Sequence, residues 1–188
     1  MIEEFKNRLD ALQVKYCFNE QQYDSSKLKY IIVGDNPGKI EYEKKRFFIG
    51  PSGQSLRSHF KGNELIENFD SECVIFNKTF IHTKKTEGLK EFVDMELFNN
   101  IQIYCAKEIS KISNEFNLPI LIFGKSKIGK DLLFDSFWKT INKFTDRKDN
   151  ILVFSHPSYN NFFKEWNKCK SEFEADSPED LLRRIGLI

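Results

Sequence analysis

Four short apolar runs, each ending in small or polar residues, constrain the fold of this chain more than any other feature. They are residues 29–34 (KYIIVG), 72–77 (ECVIFN), 119–124 (PILIFG) and 150–155 (NILVFS). Each run has the length of a strand and is continuously apolar rather than alternating, which is typical of strands that are buried on both faces. The runs therefore predict the strands of one buried parallel sheet.

Helical patterns lie between these runs and at both ends of the chain. Amphipathic spacing predicts a lead helix over 1–20, a long helix over 95–116 and another over about 127–144. A last helix is expected over 177–186, where a Ser, a Pro and two acids form a helix start and a Gly follows as a stop. Strands that alternate with helices predict an α/β chain with three layers, α/β/α, around a central four-stranded parallel sheet.

The composition fits one domain spanning 1–188, with its core at 28–165. Hydrophobic residues make up 40% and include 19 Phe, which is enough for a packed core. No apolar run approaches the ~20 residues of a membrane span, and no secretion signal is recognised. The 29 basic and 28 acidic side chains nearly cancel. Four cysteines without a C-x-x-C pair favour free thiols, so a cytoplasmic protein is expected.

The carboxyl ends of the predicted strands should form the ligand-binding rim of the sheet. The first strand runs into Gly-Asp-Asn-Pro-Gly at 34–38, and the second ends at Asn77. The third runs into Gly-Lys-Ser at 124–126, and the fourth into Ser-His-Pro-Ser-Tyr-Asn at 155–160. Polar, turn-forming and titratable residues therefore converge on one edge.

Several common sites are excluded at this rim. Residues 124–131 resemble a phosphate-binding loop, but Asp131 stands where Ser or Thr must bind Mg²⁺. The chain has neither a G-x-G-x-x-G nor a G-x-S-x-G motif. The three histidines lack the spacing of zinc ligands, so no metal is expected. What remains is Asn77, with its amide donor and acceptor, and the pair Phe47-Phe48, of which one is expected in the core. Such a set suits a flat heterocycle.

The same residues resemble the uracil-DNA glycosylase superfamily from about 28 to 165. G-D-N-P-G at 34–38 is a hybrid of the family-4 G-E-A-P-G and the G-I-N-P-G of mismatch-specific and thymine-DNA glycosylases. Residues 46–56 (RFFIGPSGQSL) match the family-4 pattern R-P-F-V-G-x-x-G-Q-x-L. Asn77, the G-K-S of 124–126 and the H-P-S-Y of 156–159 follow in the order of the family.

The resemblance implies a monofunctional DNA glycosylase of base excision repair, which removes uracil or another deaminated base after flipping it out of DNA. It implies that Asp35 or Asn36 positions or activates the attacking water. His156 would donate a hydrogen bond to the departing base, Phe48 would stack on that base and Asn77 would pair with its edge.

The resemblance also implies residues that hold the DNA, which is the expected partner of a monomeric protein. Tyr159 and Asn160 would form the wedge that fills the gap left by the flipped base. The following residues would contact DNA phosphates: Gly38, Ser52, Gln54, Lys125, Ser126 and Ser158.

The sequence departs from family 4 in three respects. Only Cys17 lies near the N-terminus, so the iron–sulfur cluster of that family, and any other cofactor, is not expected. Asp35 is one methylene shorter than the family's Glu, and residues 78–83 do not follow its K-C-R-P-P run. An alternative therefore stays open: a catalytically inactive relative that binds single-stranded nucleic acid or a nucleotide on the same rim.

Overall fold

The computed structural model describes residues 1–173 and 176–187, and it confirms the three-layer α/β/α fold. All four strands are parallel, in the order β2-β1-β3-β4. The strands are β1 (Tyr30–Gly34), β2 (Cys73–Asn77), β3 (Ile120–Phe123) and β4 (Ile151–Phe154). The helices are α1 (Ile2–Ala11), α2 (Lys39–Lys44), α3 (Pro51–Gly62), α4 (Phe69–Glu72), α5 (Met95–Phe116), α6 (Asp135–Phe144), α7 (Asn161–Glu172) and α8 (Pro178–Gly186).

The sheet separates two hydrophobic cores, because successive side chains of a strand point to opposite faces. Ile31 and Val33 of β1 belong to the core that α1, α5 and α6 cover. Ile32, between them, belongs to the core that α3, α4, α7 and α8 cover. Burial of each such side chain contributes about 1.5–3 kcal/mol. Strands buried on both faces explain the continuous apolar runs of the sequence.

Helix α5 has the predicted bounds, and both of its ends have a local cause. The Asp94 carboxylate accepts the backbone N–H of Leu97 at 2.9 Å, which caps the N-terminus. Asn117 follows the helix in the left-handed conformation, at φ 52°. The last helix, α8, is likewise capped as expected, since Ser177 Oγ accepts the N–H of Asp180.

The lead helix is shorter than the predicted 1–20 and ends at Ala11. Gln13 takes the left-handed conformation, at φ 56°, and its N–H donates to Asp10 O at 3.0 Å. Val14 N–H then donates to Leu9 O at 2.9 Å, so the two bonds close a Schellman motif. Beyond it the chain is extended, and Tyr16 forms an antiparallel bridge with Ile81.

The predicted helix over 127–144 is also too long, because α6 begins only at Asp135. Asp131 has a left-handed backbone, at φ 62°, which a continuous helix cannot include. Lys125–Lys127 forms a separate 3₁₀ turn after β3, and Phe134 N–H donates to Lys127 O at 3.0 Å. This turn is what brings Lys127 to the carboxyl edge of the sheet.

Strand β2 lies at one edge of the sheet, and among the described strands its only neighbour is β1. Side-chain amides donate hydrogen bonds to two backbone carbonyl groups on the outer edge of this strand. Asn19 Nδ2 donates to Ile75 O at 3.0 Å, and Gln21 Nε2 donates to Cys73 O at 3.1 Å. The segment before β1 thus covers this edge without forming a strand. None of the helices in 1–173 and 176–187 is both long and apolar enough to cross a membrane.

Candidate active site

A cleft of about 580 Å³ opens at the carboxyl edge of the sheet, where the sequence predicted the rim. Segments after all four strands line it, including Lys127 after β3 and residues 83–87 after β2, together with the start of α3. Eight of the predicted site residues line this cleft: Asp35, Asn36, Gly38, Phe48, Ser52, Asn77, His156 and Ser158. The structure therefore brings the predicted water-handling, base-binding and leaving-group residues together.

Other predicted residues do not line the cleft. Lys125 Nζ pairs with Glu165 Oε1 at 2.9 Å, and Ser126 lies beside it in the 3₁₀ turn. Gln54 donates to Ile49 O at 3.3 Å from an exposed position in α3. Asn160 is exposed and left-handed, at φ 57°, where it precedes α7. The side chain of Tyr159, the other predicted wedge residue, lies outside the described part of the chain. Their DNA contacts stay predictions.

Phe48 forms one wall of the cleft and is held by backbone contacts. Its φ of 54° is left-handed, its N–H donates to Glu41, and its C=O accepts from Arg57 Nε at 3.0 Å. A Cβ at Gly34 would lie 2.6 Å from the Phe48 ring, so only glycine lets the ring approach β1 this closely. The pair was expected to place one member in the core, but both Phe47 and Phe48 belong to it, at 5% and 6% exposed, and Phe48 also lines the cleft.

Asn77 ends β2 next to this ring, and only 4% of the residue is exposed. A Cβ at Gly34 would lie 2.4 Å from Asn77 Oδ1, so the same glycine brings the amide and the ring together. Nδ2 is buried and has no hydrogen-bond partner among the described residues. A buried, unpaired amide costs roughly 1–3 kcal/mol, which a ligand that pairs with it would recover.

The side-chain amide of Asn36 is held at both ends by the loop after β2. Nδ2 donates to Thr83 Oγ1 at 3.0 Å, and Oδ1 accepts from Thr86 Oγ1 at 2.8 Å. A carbonyl oxygen accepts two hydrogen bonds and an amide nitrogen donates two. Nδ2 also donates to Pro37 O at 3.5 Å, so the free site of the Asn36 amide is the second acceptor position of Oδ1, which a water or a substrate can use.

Asp35 is buried between two lysines. Its Oδ1 accepts from Lys78 Nζ at 2.6 Å and its Oδ2 from Lys127 Nζ at 2.8 Å. Burial alone would raise the pKa of Asp35, but the charges and hydrogen bonds of the two lysines outweigh it and lower the pKa. Asp35 is thus an ionised carboxylate whose two oxygens are both engaged.

His156 follows β4 and presents one ring nitrogen as a donor. Nδ1 accepts the N–H of Ser158 at 3.2 Å and lies 2.7 Å from Ser158 Oγ. Because Nδ1 is the acceptor, the proton of the neutral ring is on Nε2. Burial lowers the pKa of His156, Asp35 opposes this, and Lys78 and Lys127 add to it. The ring is therefore neutral near pH 7 and can donate from Nε2.

The residues that support this arrangement were not predicted from the sequence. Lys78 follows Asn77 at a strand end, and its position was the available signal. Thr83 and Thr86 carried no signal, because they contact Asn36 from 47 and 50 positions away. Glu41 was also missed, although its carboxylate accepts the N–H groups of both Gly38 and Phe48 and so joins the two motifs.

Residues 1–173 and 176–187 contain no group of three or more His, Cys, Asp or Glu side chains placed to hold a metal ion. Cys17 and Cys73 belong to one core, against which Cys169 packs, and Cys105 belongs to the other. Burial raises the pKa of both Cys17 and Cys105 to about 12, which disfavours the thiolate form that binds metals.

Comparison with known proteins places this geometry in a family. The model of the uracil DNA glycosylase superfamily matches residues 20–177, which include all four strands and every residue that lines the cleft. No curated protein matches the chain. Because the match covers most of the chain, the protein belongs to the uracil DNA glycosylase superfamily.

Proposed function

We propose that the protein is a monofunctional DNA glycosylase that hydrolyses the N-glycosidic bond of uracil or another deaminated base in base excision repair. Its superfamily supports a glycosylase-like function in general. The observation that carries the finer proposal is the buried, unpaired Nδ2 of Asn77 beside the Phe48 ring. A base stacked on this ring would receive a hydrogen bond from the amide along its Watson–Crick edge.

Bond cleavage moves negative charge onto the base. The electron pair of the bond between C1′ and the base nitrogen leaves with the base. Water attacks C1′, and its proton passes to the base anion or to the solvent. In our proposal His156 Nε2–H donates to the base oxygen on which charge develops. A well-aimed donor of this kind lowers the barrier by roughly 2.7–4 kcal/mol.

We assign the water to Asn36 rather than to Asp35. Both oxygens of Asp35 accept from Lys78 and Lys127, and the two lysines lower the pKa of the carboxyl, so it is a weak base in this geometry. Asn36 keeps one acceptor site on Oδ1, and the two threonines fix its direction. A water held there would be positioned rather than deprotonated, which suffices when the sugar is already cationic in character.

DNA phosphates would lie around the mouth of the cleft. Lys39, Lys84 and Lys85 line it and are exposed, although the chain as a whole is nearly neutral. Gly38, Ser52 and Ser158 lie on the same lining and would position the strand without reading its sequence. A base reaches the cleft only when it is unstacked, which costs a few kcal/mol and least in single-stranded DNA.

The engaged carboxylate of Asp35 also favours the second candidate, a relative that binds nucleic acid without cleaving it. Single-turnover assays on oligonucleotides with one uracil, hypoxanthine, xanthine or mismatched thymine separate the two, with alkaline cleavage of the abasic product as the readout. We expect wild-type protein to release at least one base. We expect folded His156→Ala to lose a factor of about 10²–10³ in rate, with little change in DNA binding.

Two results would contradict the glycosylase proposal. The first is a folded wild-type protein that binds single-stranded DNA but releases none of the four bases, which would favour the binding protein. The second is a folded His156→Ala variant that releases the base at the wild-type rate.

A further inference from the structure

The strongest unassigned feature of the cleft is the charge of the lysine pair around Asp35. Lys78 Nζ has three acceptors: Asp35 Oδ1 at 2.6 Å, Phe123 O at 2.6 Å and Gly34 O at 3.3 Å. Burial lowers the pKa of Lys78, and Asp35 opposes this. Three acceptors around one nitrogen require three N–H groups, so this geometry fits only the charged ammonium form.

Lys78 neutralises the charge of the Asp35 carboxylate on the side that faces the protein interior. The side chain of Lys78 has no exposed surface, whereas that of Lys127 is 21% exposed and lines the cleft. The three charges sum to one positive charge; Asp35 and Lys127 both line the cleft, and Lys127 is the more exposed of the two. Gly124 leaves room for this carboxylate, because a Cβ there would lie 2.5 Å from Asp35 Oδ1, and its φ of +95° also favours glycine.

We infer that Lys127 stabilises the negative charge that develops on the departing base. This inference rests on the proposed function. As the bond between C1′ and the base breaks, its electron pair passes to the base, and a fixed cation in a partly dehydrated cleft attracts that charge more strongly than water does. Lys127 thus adds a charge to the hydrogen bond that His156 supplies.

The location of Lys127 separates this role from phosphate binding. Lys39, Lys84 and Lys85 are exposed at the cleft, where a strand can reach them. Lys127 is more enclosed and is tied to Asp35 by a 2.8 Å ion pair. A lysine that held phosphate would change DNA affinity, whereas one that stabilises the leaving base would change the rate of bond cleavage.

The experiment compares two leaving groups in single-turnover assays. 5-Fluorouracil leaves more readily than uracil, because fluorine withdraws electrons and stabilises the anion. Lys127→Met should release uracil at least about 10-fold more slowly than wild type. The loss of rate of this variant on 5-fluorouracil should be clearly smaller, since the anion of that base needs less stabilisation. Lys127→Arg keeps the charge and should retain most of the rate on both bases.

Controls separate the possible failures. Lys139→Met removes a lysine that pairs with Asp135 at 2.6 Å on α6, outside the cleft lining, and should leave both rates unchanged. If Lys127→Met slows the release of both bases by the same factor, or slows neither, the inference is wrong. The proposed function still stands in that case, provided that the wild-type protein releases a base. Wild-type protein that releases no base would overturn both. If Lys127→Met melts low, Lys127→Gln takes its place.

Discussion

Thr86 fixes the side-chain amide of Asn36 through a hydrogen bond from its Oγ1 to Asn36 Oδ1, over 2.8 Å. The two residues lie in different loops, after β2 and after β1. Thr83 accepts from the other end of the same amide at 3.0 Å and donates its own hydroxyl proton to Lys85 O at 2.8 Å. The orientation of Asn36 is therefore set by a segment outside the motif that contains it.

Removal of the Thr86 hydroxyl should slow base release. Thr86→Val leaves Asn36 Oδ1 without this donor, and the loss of one hydrogen bond of about 1 kcal/mol predicts a several-fold to 10-fold lower single-turnover rate. Thr86→Ser keeps the hydroxyl and should restore the rate. Equal rates for Thr86→Val and wild type, with both proteins folded, would mean that the orientation of Asn36 does not matter for the reaction.

Replacement of Asn77 should remove base recognition and leave the fold intact. Nδ2 has no partner to lose among the described residues, so Asn77→Ala should keep a melting temperature close to that of wild type. Its base release should be strongly reduced. Asn77→Asp should gain activity on cytosine, because the amide N–H that faces the base is replaced by a carboxyl oxygen, either an acceptor or a protonated donor. The control is Asn142→Ala on α6, whose side chain bonds only within its helix.

Fully retained uracil release by Asn77→Ala would contradict the role of Asn77. So would an Asn77→Asp variant that shows no gain on cytosine, because an amide that reads the base must change its preference when it becomes a carboxyl group.

Lys78 should be essential for stability, because its loss leaves buried acceptors unpaired. Lys78→Met should lower the free energy of unfolding by about 3–5 kcal/mol, the usual effect of breaking a buried ion pair. The double variant Asp35→Asn/Lys78→Met removes both charges and should lose less than the sum of the two single changes. Urea unfolding measures each value. Strictly additive losses would show that the two side chains do not interact.

Stability should fall in mild acid because of His59. Burial lowers the pKa of His59 from 6.5 to about 4, with a smaller effect from Lys170, so the folded protein keeps the ring neutral. The unfolded chain binds a proton below about pH 6.5, and the folded chain does so only near pH 4. The free energy of unfolding should therefore decline between these values, by on the order of 3 kcal/mol.

His59→Phe tests this decline, since the ring packs against Phe162, Phe163 and Trp166. The variant should be more stable than wild type at pH 4.5 and show a flatter pH profile. Some slope should remain, because burial also lowers the pKa of His156. Parallel profiles for wild type and His59→Phe would show that another group causes the acid effect.

The sequence predicted those parts of the fold and site that depend on short segments. Continuous apolar runs predicted the four strands, and the ends of these strands placed Asp35, Asn77 and His156 at one cleft. Helix bounds were wrong where non-glycine residues take left-handed conformations, at Gln13 and Asp131, because such turns leave little trace in hydrophobic spacing.

The supporting contacts could not be predicted because they join distant segments. Lys78 reaches Asp35 across 43 positions and Lys127 reaches the same carboxylate across 92. A lysine has the same appearance in a sequence whether it is exposed or fully enclosed. Its burial follows only from the packing of three strand ends around it.

The side-chain amides that cover the outer edge of β2 have a consequence for self-association. An open edge strand offers its backbone to a second sheet, as happens in strand exchange and fibril growth. Here Asn19 and Gln21 already occupy carbonyl groups of Ile75 and Cys73. A foreign strand would have to displace both before it could add to the sheet. Asn19 and Gln21 thus disfavour aggregation by the addition of strands at this edge.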